Sequence, residues 1–240
     1  MRGFLLHARP FKEHGLLLDW LTDTRGWVRM RQNGGRRVKK RGSQRPPSFV
    51  CLEVETAGRG GWPILTGAEP VEGLRFLHGQ SLAAAFYLHE LILRALRPEE
   101  AVPGLFLDYW KSLAMLDSPE MPVSVVVRRF ERRLLEHLGA GLDWERAADG
   151  LPIDPESQYR VGLQGGIVPG NGANAVSGRL LRAIARDEAL TEAVDRRRAR
   201  DLMQGLLAPH VGSAPFLSRR LWPSAGDSTR GPDAGDPRRP

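Results

Sequence analysis

The hydrophobic period of this chain changes once, near Gly79, and that change constrains the fold more than any other feature. Before it, apolar and polar residues alternate; after it, apolar residues recur every three or four positions. A period of two belongs to strands and one of 3.6 to helices. A β module followed by a helical module is an α+β arrangement, not an alternating one with a parallel sheet.

The β module reads as five short strands. Gly3 to Ala8 is apolar and is broken by Arg9-Pro10. Leu16 to Leu21 follows, with Asp19 as its only charge. After the turn Thr22 to Gly26, Trp27, Arg29 and Arg31 point one way and Val28 and Met30 the other. In Phe49 to Glu55, Val50, Leu52 and Val54 share a face opposite Cys51, Glu53 and Glu55. Pro63 to Glu69 is the last strand. Five strands joined by glycine turns over residues 1–78 predict an OB-fold β-barrel.

The helical module is expected over residues 79–222. Ser81 is a candidate N-cap for the first helix, which stops before Pro98. Pro103 and Pro122 fit the first turns of the next two, the third running from Val123 to Leu138 and closed by Gly139. Residues 140–176 are rich in Gly, Pro, Asp and Asn and read as an irregular insertion. Helices then cover Ser177 to Arg186 and Glu192 to about Ala208, where Pro209 interrupts. Residues 223–240 carry no apolar pattern and are expected to be disordered.

Charge locates a function. Residues 1–80 hold 14 Lys and Arg against 7 Asp and Glu, whereas residues 81–240 hold 21 of each. The net charge of +7 therefore belongs wholly to the β module. It concentrates between Arg25 and Arg45, where nine basic residues meet no acidic one. Arg29 and Arg31 sit on the wet face of the third strand. Arg36, Arg37, Lys39, Lys40, Arg41 and Arg45 follow the turn Asn33-Gly34-Gly35. Positive charge held by a strand suits a polyanion, and these eight residues are candidate DNA contacts. Trp27 beside them is a candidate platform for unpaired bases or a packing residue at the barrel edge.

Other chemistries find little support. Cys51 is the only cysteine, which excludes an internal disulfide and a cysteine-rich zinc site. The six histidines have no ligand spacing. Gly170-Asn171-Gly172-Ala173-Asn174-Ala175 matches a dinucleotide fingerprint on paper but lacks the βαβ unit that gives the fingerprint its meaning. Asp19, Asp23, Glu53 and Glu55 do not make a persuasive nuclease set, so no catalytic residue, metal or cofactor is assigned. No apolar run reaches membrane-spanning length and the N-terminus has no signal-peptide pattern. A bacterial cytoplasmic, nucleoid-associated protein is the expectation.

Several phrases, in order, resemble the RecO family of bacterial recombination mediators. They are Gly3-Phe4-Leu5-Leu6-His7-Ala8-Arg9-Pro10, Leu16 to Thr22, Thr66-Gly67-Ala68-Glu69, Phe86-Tyr87-Leu88-His89-Glu90-Leu91, Arg128-Arg129-Phe130-Glu131, Leu134 to Gly139, and Leu217-Ser218-Arg219-Arg220-Leu221. The resemblance implies an OB-fold ahead of a helical domain. It implies binding of single- and double-stranded DNA, annealing of complementary strands, and help in placing RecA on DNA coated with single-stranded-DNA-binding protein, with RecR as partner. It further implies that the helical domain captures that protein's acidic, aromatic-ended C-terminal tail. Arg128 would contact the tail, with Arg129, Arg132 and Arg133 enriching the cationic rim and Phe86, Leu91 and Leu134 supplying the apolar lining; the alternative is that these arginines are a solvated helix face paired with Glu131 and Glu136 at helical spacing. Many relatives carry a four-cysteine zinc site where Leu142 to Gly150 stands here without a cysteine, so the chain resembles the zinc-free branch. The competing readings are a general OB-fold nucleic-acid chaperone or RNA-binding adaptor without a recombination role, and an adaptor whose basic loop binds acidic protein.

Overall fold

The computed structural model describes residues 1–33, 45–58, 61–71, 73, 77–102 and 104–222. Five strands, β1 (Arg2–Phe11), β2 (Gly15–Thr22), β3 (Gly26–Gln32), β4 (Leu52–Ala57) and β5 (Ile64–Pro70), close a barrel in the order β1-β2-β3-β5-β4. Neighbours are antiparallel except β3 and β5, whose parallel contact at Arg31 and Ile64 helps close the sheet. The expected alternation places Leu5, Leu18, Trp20, Val28, Met30, Val50, Leu52 and Val54 in the barrel interior.

Three details differ from the sequence reading. Arg9-Pro10 does not end β1, because Pro10 pairs with Leu16 of β2 while β4 reaches only Arg2 and Gly3. The missing proline N–H thus lies where the ladder has an edge. Phe49 is not part of a strand. Its φ is +64°, and its ring is turned out of the barrel, edge-on to Phe86 at 5.0 Å and stacked on His89 at 4.6 Å. β2 has no wet face: Leu17, Asp19 and Leu21 are as buried as the residues between them.

The helical part comprises α1 (Gly79–Ala95), α2 (Leu105–Asp117), α3 (Val123–His137), α4 (Gly178–Ala185) and α5 (Ala193–Val211), then a 3₁₀ helix at Leu217–Leu221. Helix α1 starts at Gly79, with His78 rather than Ser81 at its N-cap. Ser177 caps α4, its hydroxyl accepting from the Leu180 N–H at 3.2 Å. Pro209 lies inside α5, within its last turn, and does not interrupt it.

The stretch expected to be irregular forms a small antiparallel sheet, β6 (Gln158–Gly162), β7 (Gly166–Pro169) and β8 (Val176–Ser177), in the order β7-β6-β8. Tyr159, Ile167 and Val176 anchor it in the helical core. Its strands are too short, and too close to glycines, for a two-residue period to stand out. Gly170 to Ala175 is the connection from β7 to β8, not the turn of a βαβ unit. The expectation of disorder over residues 223–240 lies outside the described residues.

Barrel and helices share a core. Phe4, Leu6, Leu21, Phe49 and Cys51 leave the barrel's outer surface and join Leu88, Ile92, Tyr109 and Phe130. Phe4 meets Tyr109 edge-on at 5.0 Å. The β2–β3 turn is clamped to the α1–α2 loop by the Glu99 N–H donating to the Trp27 carbonyl at 2.6 Å and by the Arg25–Glu99 ion pair at 2.9 Å. A side chain at Gly26, whose φ is +64°, would place Cβ 1.9 Å from the Glu100 carbonyl oxygen, so only glycine fits this approach.

Candidate functional site

The basic strand divides its residues between structure and surface. Arg29 lies opposite Asp19 in the β2–β3 register, and its Nε donates to the buried Asp19 carboxylate at 2.6 Å. A buried carboxylate needs such a partner, so the Arg29 charge is spent inside the fold. Trp27 packs against the shared core, with its Nε1 buried and the Arg29 guanidinium 5.4 Å from its ring centroid. Its ring therefore has a packing role. Arg31 is half-buried at the end of β3, and Arg45 is exposed. Arg36, Arg37, Lys39, Lys40 and Arg41 lie outside the described residues.

The third helix also uses its arginines unevenly. Arg129 and Arg132 both reach Asp187, at 3.3 and 2.6 Å, and so tie α3 to the end of α4. Arg133 pairs with Glu136 at 2.6 Å on an exposed face. Arg128 is mostly buried and stands 2.6 Å from Oε2 of Glu131, an ion pair without hydrogen-bond alignment. The Tyr87 hydroxyl donates to Oε1 of the same carboxylate at 2.6 Å. Burial pushes Glu131 above the usual carboxylate range, against the pull of Arg128, Tyr87 and Arg219. Burial, reinforced by the Glu131 charge, raises Tyr87 as well, so the phenol remains a donor.

Arg128 also faces outward into a pocket of about 380 Å³. Helix α3 supplies Ser124, Val125 and Val127, α4 supplies Ala183 and Ile184, and α5 supplies Arg196, Ala199, Arg200 and Gln204. Tyr87 of α1, Leu190, Arg219 and Trp222 complete the wall. Four arginines thus surround an apolar floor. Of the two carboxylates at the rim, Asp187 is held by Arg129 and Arg132, and Glu188 lies 4.0 Å from Arg186. Such a concavity suits a ligand that combines an apolar ring with carboxylates.

The apolar residues expected from sequence to line a tail site, Phe86, Leu91 and Leu134, lie elsewhere than this pocket. Leu91 and Leu134 are fully buried in the helical core, and Phe86 is engaged with Phe49 and His89. None of the three lines the pocket. Arg196, Arg200, Arg219 and Trp222 line the pocket and were not singled out as site residues from the sequence. The spacing of Arg196 and Arg200 marks one face of α5, but nothing local says that this face meets α3.

The wall containing Arg219 and Trp222 is itself clasped to α1. The Glu90 carboxylate accepts from the Leu217 N–H at 3.0 Å, the Ser218 N–H at 2.9 Å and the Ser218 hydroxyl at 2.8 Å. Arg94 joins the clasp, donating to the carbonyls of Ala214 and Pro215 and standing 4.4 Å from the Phe216 ring centroid. Burial opposes ionisation of Glu90, but its bonds to Ser218 and Leu217 and the nearby Arg94 outweigh burial and lower its pKa. Among the described residues no group of three or more His, Cys, Asp or Glu could hold a metal ion, and no helix is long and apolar enough to cross a membrane.

Residues 78–220 match the family model described as "Recombination protein O C terminal". The chain is 35% identical over 226 residues to "DNA repair protein RecO" of Serratia proteamaculans, covering 92% of each. It is 35% identical to the protein of that name in Photobacterium profundum, covering 92% of this chain and 94% of the relative. A Pseudomonas aeruginosa relative of the same name is 34% identical, with 95% and 96% covered.

Proposed function

Because the chain belongs to the RecO family, we propose that it mediates DNA repair and homologous recombination by binding single- and double-stranded DNA, annealing complementary strands and, with RecR, helping to load RecA onto DNA coated with single-stranded-DNA-binding protein. The barrel module carries the whole charge excess of the chain. A cationic surface lowers the repulsion between two strands and releases counterions from both. No bond is made or broken in that process, so no catalytic group is required.

The observation that separates a mediator from a general nucleic-acid chaperone is the arginine-lined pocket on the helical part. Its apolar floor suits the terminal aromatic ring of a single-stranded-DNA-binding protein's tail, and its arginines suit the tail's carboxylates, Arg219 foremost, since Arg128 pairs with Glu131, Arg196 donates to the Leu190 and Thr191 carbonyls and Arg200 meets Asp201. The pocket and the basic strand belong to different modules, so the protein can hold the coated strand's protein and its DNA at once.

Arg219 is the cleaner residue for a test. Replacing Arg128 would leave the buried Glu131 with the Tyr87 hydroxyl but without its ion-pair partner, which unbalances the fold as well as the site. Arg219→Ala is expected to weaken a fluorescent tail peptide about tenfold or more, since a charge-assisted contact contributes about 1.5–3 kcal/mol. Affinity for bare single-stranded DNA should hold. Alanine at Arg36, Arg37, Lys39, Lys40 and Arg41 should do the reverse and flatten the salt dependence, by roughly 0.7–0.9 in slope per lost phosphate contact. Annealing of strands coated with single-stranded-DNA-binding protein should suffer in both variants. Annealing of bare strands only, with no effect of coating or of Arg219→Ala, would favour the general chaperone.

A further inference from the structure

Two aromatic side chains at one end of the barrel belong to neither core. Trp62, in the β4–β5 connection, is 45% exposed. Its ring meets that of Phe11, edge-on at 5.8 Å. Phe11 is the last residue of β1, and the Lys12 ammonium sits 5.6 Å from its ring centroid. Neither ring is among the residues that fill the barrel or join it to the helices.

The strand register shows where this pair stands. The Arg31 N–H donates to the Pro63 carbonyl at 2.8 Å, so Trp62 is next to the end of β3. Gln32 pairs with Leu16, and the adjacent Gly15 pairs with Phe11. The β1–β2 turn, the β4–β5 connection and the end of β3 therefore converge. From that point the chain passes into the run Arg36 to Arg41. In OB-folds the faces of strands 2 and 3 and the loops joining strands 1–2 and 4–5 are the surfaces that take oligonucleotides.

We propose that Trp62 and Phe11 form a stacking platform for unpaired bases of single-stranded DNA, flanked by Lys12 and Arg31 as phosphate partners. The inference rests on the reading of the barrel as the DNA-binding module and adds how that module distinguishes strands. Bases in a duplex already stack on their neighbours and offer no free face, whereas an unpaired base offers one to any aromatic ring. A base lying on Trp62 keeps its Watson–Crick edge open, which is what annealing needs. A protein partner fits poorly, because two rings rimmed by cations fall far short of the roughly 1,000 Å² of a specific interface. Trp27, whose ring packs against the shared core, is less open to a base than Trp62.

The test uses the full chain with a labelled oligothymidylate and a labelled duplex. Trp62→Ala should lower affinity for the oligothymidylate roughly 5- to 150-fold, the range for one lost base stack. Duplex affinity and the slope of binding against salt should stay as in the unsubstituted protein, because no charge is removed. Trp62→Phe should retain most of the single-strand affinity. Unchanged oligothymidylate binding by Trp62→Ala, or an equal loss on both DNAs, would overturn the platform while leaving the barrel as the DNA face. An unsubstituted protein that binds neither DNA would overturn that reading too.

Discussion

His89 shows how one buried residue can set the response of the fold to pH. It is fully buried where barrel meets helices, stacked on Phe49 and bonded through Nε2 to the Tyr109 hydroxyl. Burial lowers its pKa to about 3, with the backbone of Leu6 opposing and His7 adding to the fall. An unfolded histidine titrates near 6.5. Below that value the unfolded chain binds a proton that the folded chain refuses, so stability is complete above about 6.5 and is lost as pH falls toward 3. Denaturant unfolding should therefore lose about 1 kcal/mol from this group between pH 7 and pH 5.5. His89→Gln should start less stable but lack this component. An identical fall in the variant would show that other groups carry the acid response.

At the scale of elements, α3 and the C-terminal segment explain why the pocket exists. The buried face of α3, with Val126, Phe130 and Leu134, seats it in the core. Its flanking arginines then meet whatever lies beside it, and Asp187 at the end of α4 collects two of them. The segment from Ala214 to Trp222, which holds the short 3₁₀ helix, is tied to Glu90 and Arg94 of α1. Glu90→Gln removes charge from bonds worth about 1.5–3 kcal/mol. Faster amide hydrogen exchange over residues 214–222 and a weaker tail-peptide interaction are expected, with DNA affinity intact. Because the pKa of Glu90 is lowered by folding, its contribution is present above about 4.5, the ordinary glutamate value, and is lost as pH falls below it. Exchange rates equal to those of the unsubstituted protein at pH 7 would show that the clasp contributes nothing.

Seen as a whole, the molecule is not two beads on a string. The barrel's outer residues Phe4, Leu6 and Leu21 fill the same core as the helices, and Phe4 is fully buried against Phe106 and Tyr109. Phe4→Ala should cost about 3–5 kcal/mol, as large aromatic truncations in cores do. The loss should appear as one shifted transition, the same by tryptophan fluorescence and by far-ultraviolet circular dichroism. Two separate transitions would mean that the modules unfold independently.

Much of this was legible in the sequence, because strand and helix periods, glycine turns and charge are local properties. Val28 and Met30 against Arg29 and Arg31 marked a strand with one dry face, and the structure keeps that pattern. The helices followed from their apolar stripes, and the segregation of charge to residues 1–80 is a property of the sequence alone. Partnership between distant elements was not legible. The same alternation that put Arg29 on the wet face could not show that Asp19 would neutralise it there, or that Trp27 would pack against the shared core. The pocket draws on α3, α4, α5 and the last described residues, and Phe11 and Trp62 meet only when the barrel closes. Periodicity assigns each side chain to a face; only the tertiary fold decides which face opposes it, and with it which charges and rings remain for a ligand.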